Sequence, residues 1–255
     1  VLLKTSCTFC RVTPEAFFGA LKAGSTSKTS QVSVGEYTEF WKPMLEAGKD
    51  VLHLTLSSGI SGTYNSAVIA ARDLEAQYPD RTVRVVDSLA ASAGYGLLMD
   101  YLADMRDAGA TLDEAQAAIE ELVPKTQFLV ACDTLENLLK GGRLSADQVK
   151  NASLLNIKPI FTFNETGVLV AFGKAKGMRG VIKQYVQNAQ KRTEEQGKQR
   201  IRFCHVANEG VEDLRSALNE AGVEYVDEGS SPCGATVATH LGLGALGISF
   251  APAEA

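Results

Sequence analysis

Five hydroxyls fall within nine residues of one another: Thr55, Ser57, Ser58, Ser61 and Thr63, with Gly59 and Gly62 between them. They follow the short apolar run Val51-Leu52-His53-Leu54, which has the character of a buried parallel strand. A helix pattern resumes after them. Hydroxyls and glycine-exposed amides at the carboxyl end of such a strand, before a helix N-terminus, can hold an anionic group. They can also do no more than close a turn and cap a helix. A third chemistry is nucleophilic: Gly59-Ile60-Ser61-Gly62-Thr63 approaches the strand–turn–helix elbow of a serine hydrolase, without its last glycine. A triad would draw its base from His53, His205 or His240 and its acid from Asp87 or Asp133. No lysine follows Gly62 as a nucleotide-binding phosphate loop requires.

Other residues with chemical potential are scattered. Gly141-Gly142-Arg143 puts a cation on a flexible loop, where a helix C-cap would also explain it. Asn156-Ile157-Lys158-Pro159 suits a strand start, and Lys174, Lys176 and Arg179 make a short basic cluster. His240-Leu241-Gly242-Leu243-Gly244 sets a ring before two spaced glycines. Cys7-Thr8-Phe9-Cys10 has no second pair to complete a zinc site.

The elements that must position these groups are readable. Thr13 and Pro14 start a helix bearing Phe17, Phe18 and Leu21, and Gly24–Ser30 is a polar loop. Ser33 with Glu36 is a capping box for a helix with Tyr37, Phe40, Trp41, Met44 and Leu45, which Pro43 should kink or shorten. After the hydroxyl loop comes a helix with Tyr64, Val68, Ala71 and Leu74 on one face. Strand Val83–Asp87, a helix over 93–108 and a helix capped by Thr111 and Glu114 follow. This βα alternation predicts a parallel-sheet α/β domain over 1–124. Over 125–255 the pattern predicts a mixed-sheet α/β domain. Its parts are strand Gln127–Ala131, a helix through Leu135 and Leu138, a short helix from Ser145 and Gln148 to about Leu155, and a hairpin of 158–163 with 168–174. A polar helix over 181–196, strand 201–206, a helix near 214–221 and strands 223–226 and 246–250 complete it. A ligand cleft between the two domains is expected.

The chain has 255 residues, 45% hydrophobic and 22% charged, with a net charge of −5. That composition is globular, and an acidic balance excludes general nucleic-acid binding. An anionic ligand must therefore be gripped by local groups. No apolar run reaches membrane-spanning length. Five scattered cysteines suggest reduced thiols of a cytoplasmic protein.

Seven ordered segments resemble the DegV family of bacterial fatty-acid-binding proteins. They are Thr29-Ser30-Gln31 with Ser33; Ser57 to Tyr64; Val86-Asp87-Ser88; Asp133-Thr134-Leu135; Lys140-Gly141-Gly142-Arg143; Leu155 to Pro159; and Thr239-His240. The resemblance implies a long-chain fatty acid, such as palmitate, stearate or oleate, buried between the domains, with no metal and no catalysis. It implies a carboxylate held by Thr29, Ser61, Gly62 and His240, with Ser30, Ser57, Ser58 and Asn156 as secondary candidates. It also implies a separate fatty acid kinase that makes acyl phosphate for phospholipid synthesis. Arg143, Lys174, Lys176 and Arg179 are then expected to face the kinase, and transient contact with a membrane surface is compatible with such a carrier. A serine esterase built on Ser61 and His240, or a module sensing a polar anion, are the competing expectations. Two departures stand out. The family's first strand with its Asp-Ser pair has no counterpart in residues 1–11, and its Gly-Pro-Gly is Gly242-Leu243-Gly244 here.

Overall fold

A computed structural model describes residues 12–145 and 156–254. The Cys7–Cys10 pair and the helix expected up to Leu155 lie outside the described residues.

The first sheet consists of β1 (Val51–Thr55) and β2 (Val83–Asp87), parallel and in register from Val51 opposite Val83 to Thr55 opposite Asp87. Alternation along β1 sorts its side chains to two faces. Val51 packs with Tyr37, Trp41 and Leu45 of α2 (Val34–Glu46) and with Ala67, Ala70, Ala71 and Leu74 of α3 (Thr63–Gln77). Leu52 and Leu54 pack with Leu97, Leu98 and Leu102 of α4 (Ser92–Asp107) and with Ile119 and Leu122 of α5 (Leu112–Leu122). The parallel sheet is thus covered on both sides. Pro43 lies inside α2, which continues to Glu46, so the proline does not end the helix at that point. One detail departs from expectation. The buried face of α3 is its small-residue stripe, while Val68 is 40% exposed.

The second sheet has six strands in the order β5-β4-β3-β8-β6-β7. They are β3 (Gln127–Ala131), β4 (Ile157–Phe163), β5 (Leu169–Lys176), β6 (Gln199–His205), β7 (Tyr225–Pro232) and β8 (Leu246–Pro252). β3, β4 and β5 pair antiparallel in sequence, β8 is antiparallel to both β3 and β6, and β6 and β7 are parallel. One face carries Leu129, Ile160, Phe203, Ile248 and Phe250 against α7 (Gly177–Gln196) and α8 (Val211–Glu220). The other carries Phe128, Val130, Cys132, Phe161, Cys204 and Val206. It is covered by Phe18 of α1 (Pro14–Lys22), Ala93 of α4, Leu138 of α6 (Glu136–Lys140) and Ala238 and Leu241 of α9 (Ala235–Leu241).

The halves are joined by α4, which lies on the second sheet as well as under the first. Arg202 of β6 pairs with Asp100 of α4 at 2.5 Å, and Arg200 with Asp104 at 2.8 Å and Glu228 at 2.7 Å. The Arg202–Asp100 pair, 24% and 32% exposed, links helix and sheet more firmly than Arg200 with the 65% exposed Asp104.

Candidate functional site

The hydroxyl-rich loop leaves β1 and enters α3 with Gly62 as N-cap and no side-chain cap. Ser61 substitutes locally: its Oγ accepts from the Thr63 amide at 3.2 Å and donates to Thr63 Oγ1 at 2.9 Å. Thr63 Oγ1 also accepts from the Val32 amide at 3.3 Å, tying the Thr29-Ser30-Gln31 segment to the helix start. Gln31 donates to Ser66 Oγ at 3.3 Å, and its carboxamide lies against Gly62 so closely that a Cβ there would overlap it. A side chain at Gly62 would displace the Gln31 carboxamide from this position.

From the second half, α9 brings His240 to Thr29: Nε2 and Oγ1 are 2.7 Å apart. One residue earlier, Thr239 Oγ1 lies 2.8 Å from Ser27 Oγ. The imidazole rests on Gly141, where any side chain would collide with Nδ1, and that nitrogen is buried without a partner among the described residues. Burial, and then the nearby Arg143 charge, hold the His240 pKa below the ordinary imidazole value, so the ring is neutral at pH 7. Arg143 donates to the Ile60 carbonyl at 3.2 Å and the Gly141 carbonyl at 2.5 Å. α9 ends in the turn Gly242-Leu243-Gly244, both glycines at positive φ (75° and 82°). Asn137 and Asp133 fill the space where their Cβ atoms would stand.

The site thus brings together Thr29, Ser61, Gly62, Arg143 and His240. Other expected members have different places. Ser57 is fully buried and donates to the Gly167 carbonyl at 2.6 Å, so its hydroxyl ties the loop to the β4–β5 turn. The Ser58 amide donates to Asp87, which also accepts from the Leu89 amide. Ser30 is exposed. Asn156, at φ 62°, accepts from the Gly177 amide at the open end of the hairpin, where Ile157 pairs with Lys176. Lys174, Lys176 and Arg179 are exposed at that same end, away from the turn that meets Ser57. A hydrolytic triad is not assembled: Ser61 bonds Thr63, His240 bonds Thr29, Asp87 caps two amides and Asp133 pairs with Lys158 at 2.7 Å. Sequence reasoning missed Ser27, whose only signal was a polar loop, and Asn137, which gave none.

A family description, "uncharacterised protein, DegV family", matches residues 8–253. The chain belongs to the DegV family. A fatty acid-binding protein of Thermotoga maritima is 35% identical over 233 residues, 90% of this chain and 78% of that one. The structure of a fatty-acid-binding DegV protein from Thermus thermophilus matches with a TM-score of 0.84 at 29% identity, over 94% of this chain and 85% of that one. A DegV protein of Eubacterium eligens, loaded with heptadecanoic acid, matches with a TM-score of 0.79 at 25% identity, over 94% and 85%. The two-sheet α/β architecture is thus that of DegV proteins. Among the described residues, no helix is long and apolar enough to cross a membrane and no cluster of ligand side chains suits a metal ion.

Proposed function

We propose that this protein binds a long-chain fatty acid between its two halves, residues 1–124 and 125–255, as a carrier with no reaction of its own. The observation that carries this reading is the Thr29–His240 contact of 2.7 Å, made across the halves beside the start of α3. A neutral His240 donating from Nε2 would leave the Thr29 proton free for a carboxylate, alongside Ser61 and the Gly62 turn. The same helices, α6 and α9, pack Leu138 and Leu241 against the apolar face of the large sheet, so the surroundings of the polar clamp are nonpolar. Burying a 16-carbon tail contributes about 12 kcal/mol gross at ~0.8 kcal/mol per CH₂, much of it offset by ordering and association. Affinity then comes from the tail, and neutral hydroxyls position the head without the desolvation cost of a buried ion pair. Relatives that bind fatty acids support the ligand class.

Delipidated protein titrated with oleate by calorimetry is expected to bind one equivalent, and native mass spectrometry to retain it. A chain that takes up no acyl ligand overturns the reading. The further role, presenting the carboxylate to a fatty acid kinase for acyl phosphate and phospholipid synthesis, is supported by the exposed Lys174, Lys176 and Arg179 on an otherwise acidic chain. Reversing Lys174 and Lys176 to Glu should slow phosphorylation of bound oleate by an added fatty acid kinase while leaving oleate affinity unchanged. Equal rates would remove that role from the lysines.

A further inference from the structure

The segment that carries Thr29 has little regular structure to hold it. Residues 25–33 form neither helix nor strand between α1 and α2. Its ends are anchored: the Ser25 amide donates to the Ala20 carbonyl at 3.0 Å, and the Val32 amide to Thr63 Oγ1 at 3.3 Å. Between those anchors, and among the described residues, 26–30 hydrogen-bond through two side chains alone. Ser27 Oγ meets Thr239 Oγ1 at 2.8 Å, and Thr29 Oγ1 meets His240 Nε2 at 2.7 Å. Ser27 and Thr29 are partly buried, while Thr26, Lys28 and Ser30 are exposed. That alternation is the period of an extended chain, with residues 27 and 29 on the side that meets α9.

We infer that Ser27 and Thr239 are a positioning pair for the carboxylate clamp, holding Thr29 and the His240 ring in line without being ligand groups themselves. The consequence for binding rests on the carrier reading above; the alignment of Thr29 with His240 does not. The direction of the Ser27 bond separates the two roles. Thr239 gives its one hydroxyl proton to the Ala235 carbonyl, 2.8 Å away and one helical turn back. Its oxygen therefore accepts, and Ser27 donates. The Ser27 proton is then committed and cannot serve a carboxylate, whereas a Thr29 hydroxyl that accepts from His240 keeps its own. Geometry makes the pair more than a spare tie. Side chains at successive helical positions diverge by about 100°, so turning α9 to bring Thr239 closer carries His240 away. Bonds at both positions fix the rotation of the helix as well as the path of the segment. α9 has seven residues and no side-chain cap at Gly234, so it depends on such outside ties. Without Ser27, residues 26–30 hang from α9 by Thr29 alone, and a ligand must order the loop as it binds.

The test uses the full chain with isotope-labelled histidine, unmodified and as Ser27→Ala, Thr239→Val, the two combined, and Thr239→Ser, which keeps the acceptor. Without ligand, the unmodified protein should show the His240 Nε2 proton as a sharp downfield resonance. Ser27→Ala and Thr239→Val should each broaden it through exchange with water. Calorimetry should find oleate bound about threefold to tenfold more weakly by either variant, the scale of one neutral hydrogen bond, with little change in the urea midpoint. The combined variant should bind no more weakly than the single ones, because the same bond is lost in all three. Thr239→Ser should restore both resonance and affinity. Unchanged oleate affinity in Ser27→Ala overturns the inference. Weaker binding with a His240 resonance that stays sharp does so too, since Ser27 would then act on the ligand directly. Additive losses in the combined variant, or a Thr239→Ser protein that rescues neither readout, also refute it. If the unmodified protein binds no oleate, the carrier reading fails, and the His240 resonance decides on its own whether the pair positions the ring.

Discussion

Thr29 and His240 are 211 positions apart in the chain and 2.7 Å apart in the fold, and neither is much use to a carboxylate alone. A free threonine hydroxyl rotates among several acceptors; one pinned by a ring nitrogen has its remaining donor direction fixed. Replacing Thr29 by Val keeps the shape and removes the donor. Oleate affinity should fall roughly tenfold to a hundredfold, as for one lost charge-assisted hydrogen bond, with little change in melting temperature. Thr29→Ser should restore most of it. Calorimetry on the two variants side by side separates a donor from a packing role, because a packing role would leave the Val variant the better binder. Ser61→Ala combines two effects, since the same oxygen caps the Thr63 amide. It should weaken binding and also cost about 1 kcal/mol of stability, read from the urea midpoint.

The elements that carry the site were unevenly legible, and a variant of one of them shows why. Gly244→Ala would force a left-handed residue into the space of the Asp133 carboxylate, with a loss of about 1–3 kcal/mol and of His240 positioning. Urea denaturation and oleate titration together check both parts. The requirement for glycine there comes from its positive φ and from Asp133, more than a hundred residues upstream, so the sequence could show the two glycines but not what they approach. By contrast, the capping boxes Ser33–Glu36 and Thr111–Glu114 are complete within four residues, and both form as read. Strands β1, β2 and β3 likewise follow from their apolar runs. α9 was not expected as a helix, because its seven residues include β-branched Thr and Val and follow Pro-Cys-Gly. β7 continues six residues beyond the Val226 expected as its end, through polar Asp227 to Pro232, since β6 supplies the ladder that its own composition does not suggest. At the residue level, the loop hydroxyls marked a candidate site, but their division into free hydroxyls and ties depended on partners from the other half.

For the molecule as a whole, acid is the informative stress. His53 of β1 packs edge-on against Tyr37 and Trp41 with its Nε2 3.2 Å from the Tyr37 hydroxyl, and burial lowers its pKa to about 4. Between that value and the ~6.5 of an unfolded imidazole, the unfolded chain takes up a proton that the folded one refuses. Stability is therefore full above about pH 6.5 and is lost as pH falls toward 4. Burial lowers His205 and His240 in the same direction. The urea midpoint should be lower at pH 5 than at pH 7, and His53→Gln should shrink that difference; an equal difference in the variant would remove His53 from the account. The junction of the halves has a different logic. Gly59 meets the Gly167 backbone with no side chain between them, and Ser57 bonds the Gly167 carbonyl across the same gap. Gly59→Ala would pry the loop from the hairpin and break that hydrogen bond as it did so. Ser57→Ala added to it should then cost much less than Ser57→Ala alone, a sub-additive pair in a double-mutant cycle. The worth of the Ser57 hydroxyl is thus conditional on the absence of a side chain two residues away. Variation at Ser57 would be punished only in chains that keep Gly59, which makes the two positions one heritable unit although neither touches the other's partner in the same way.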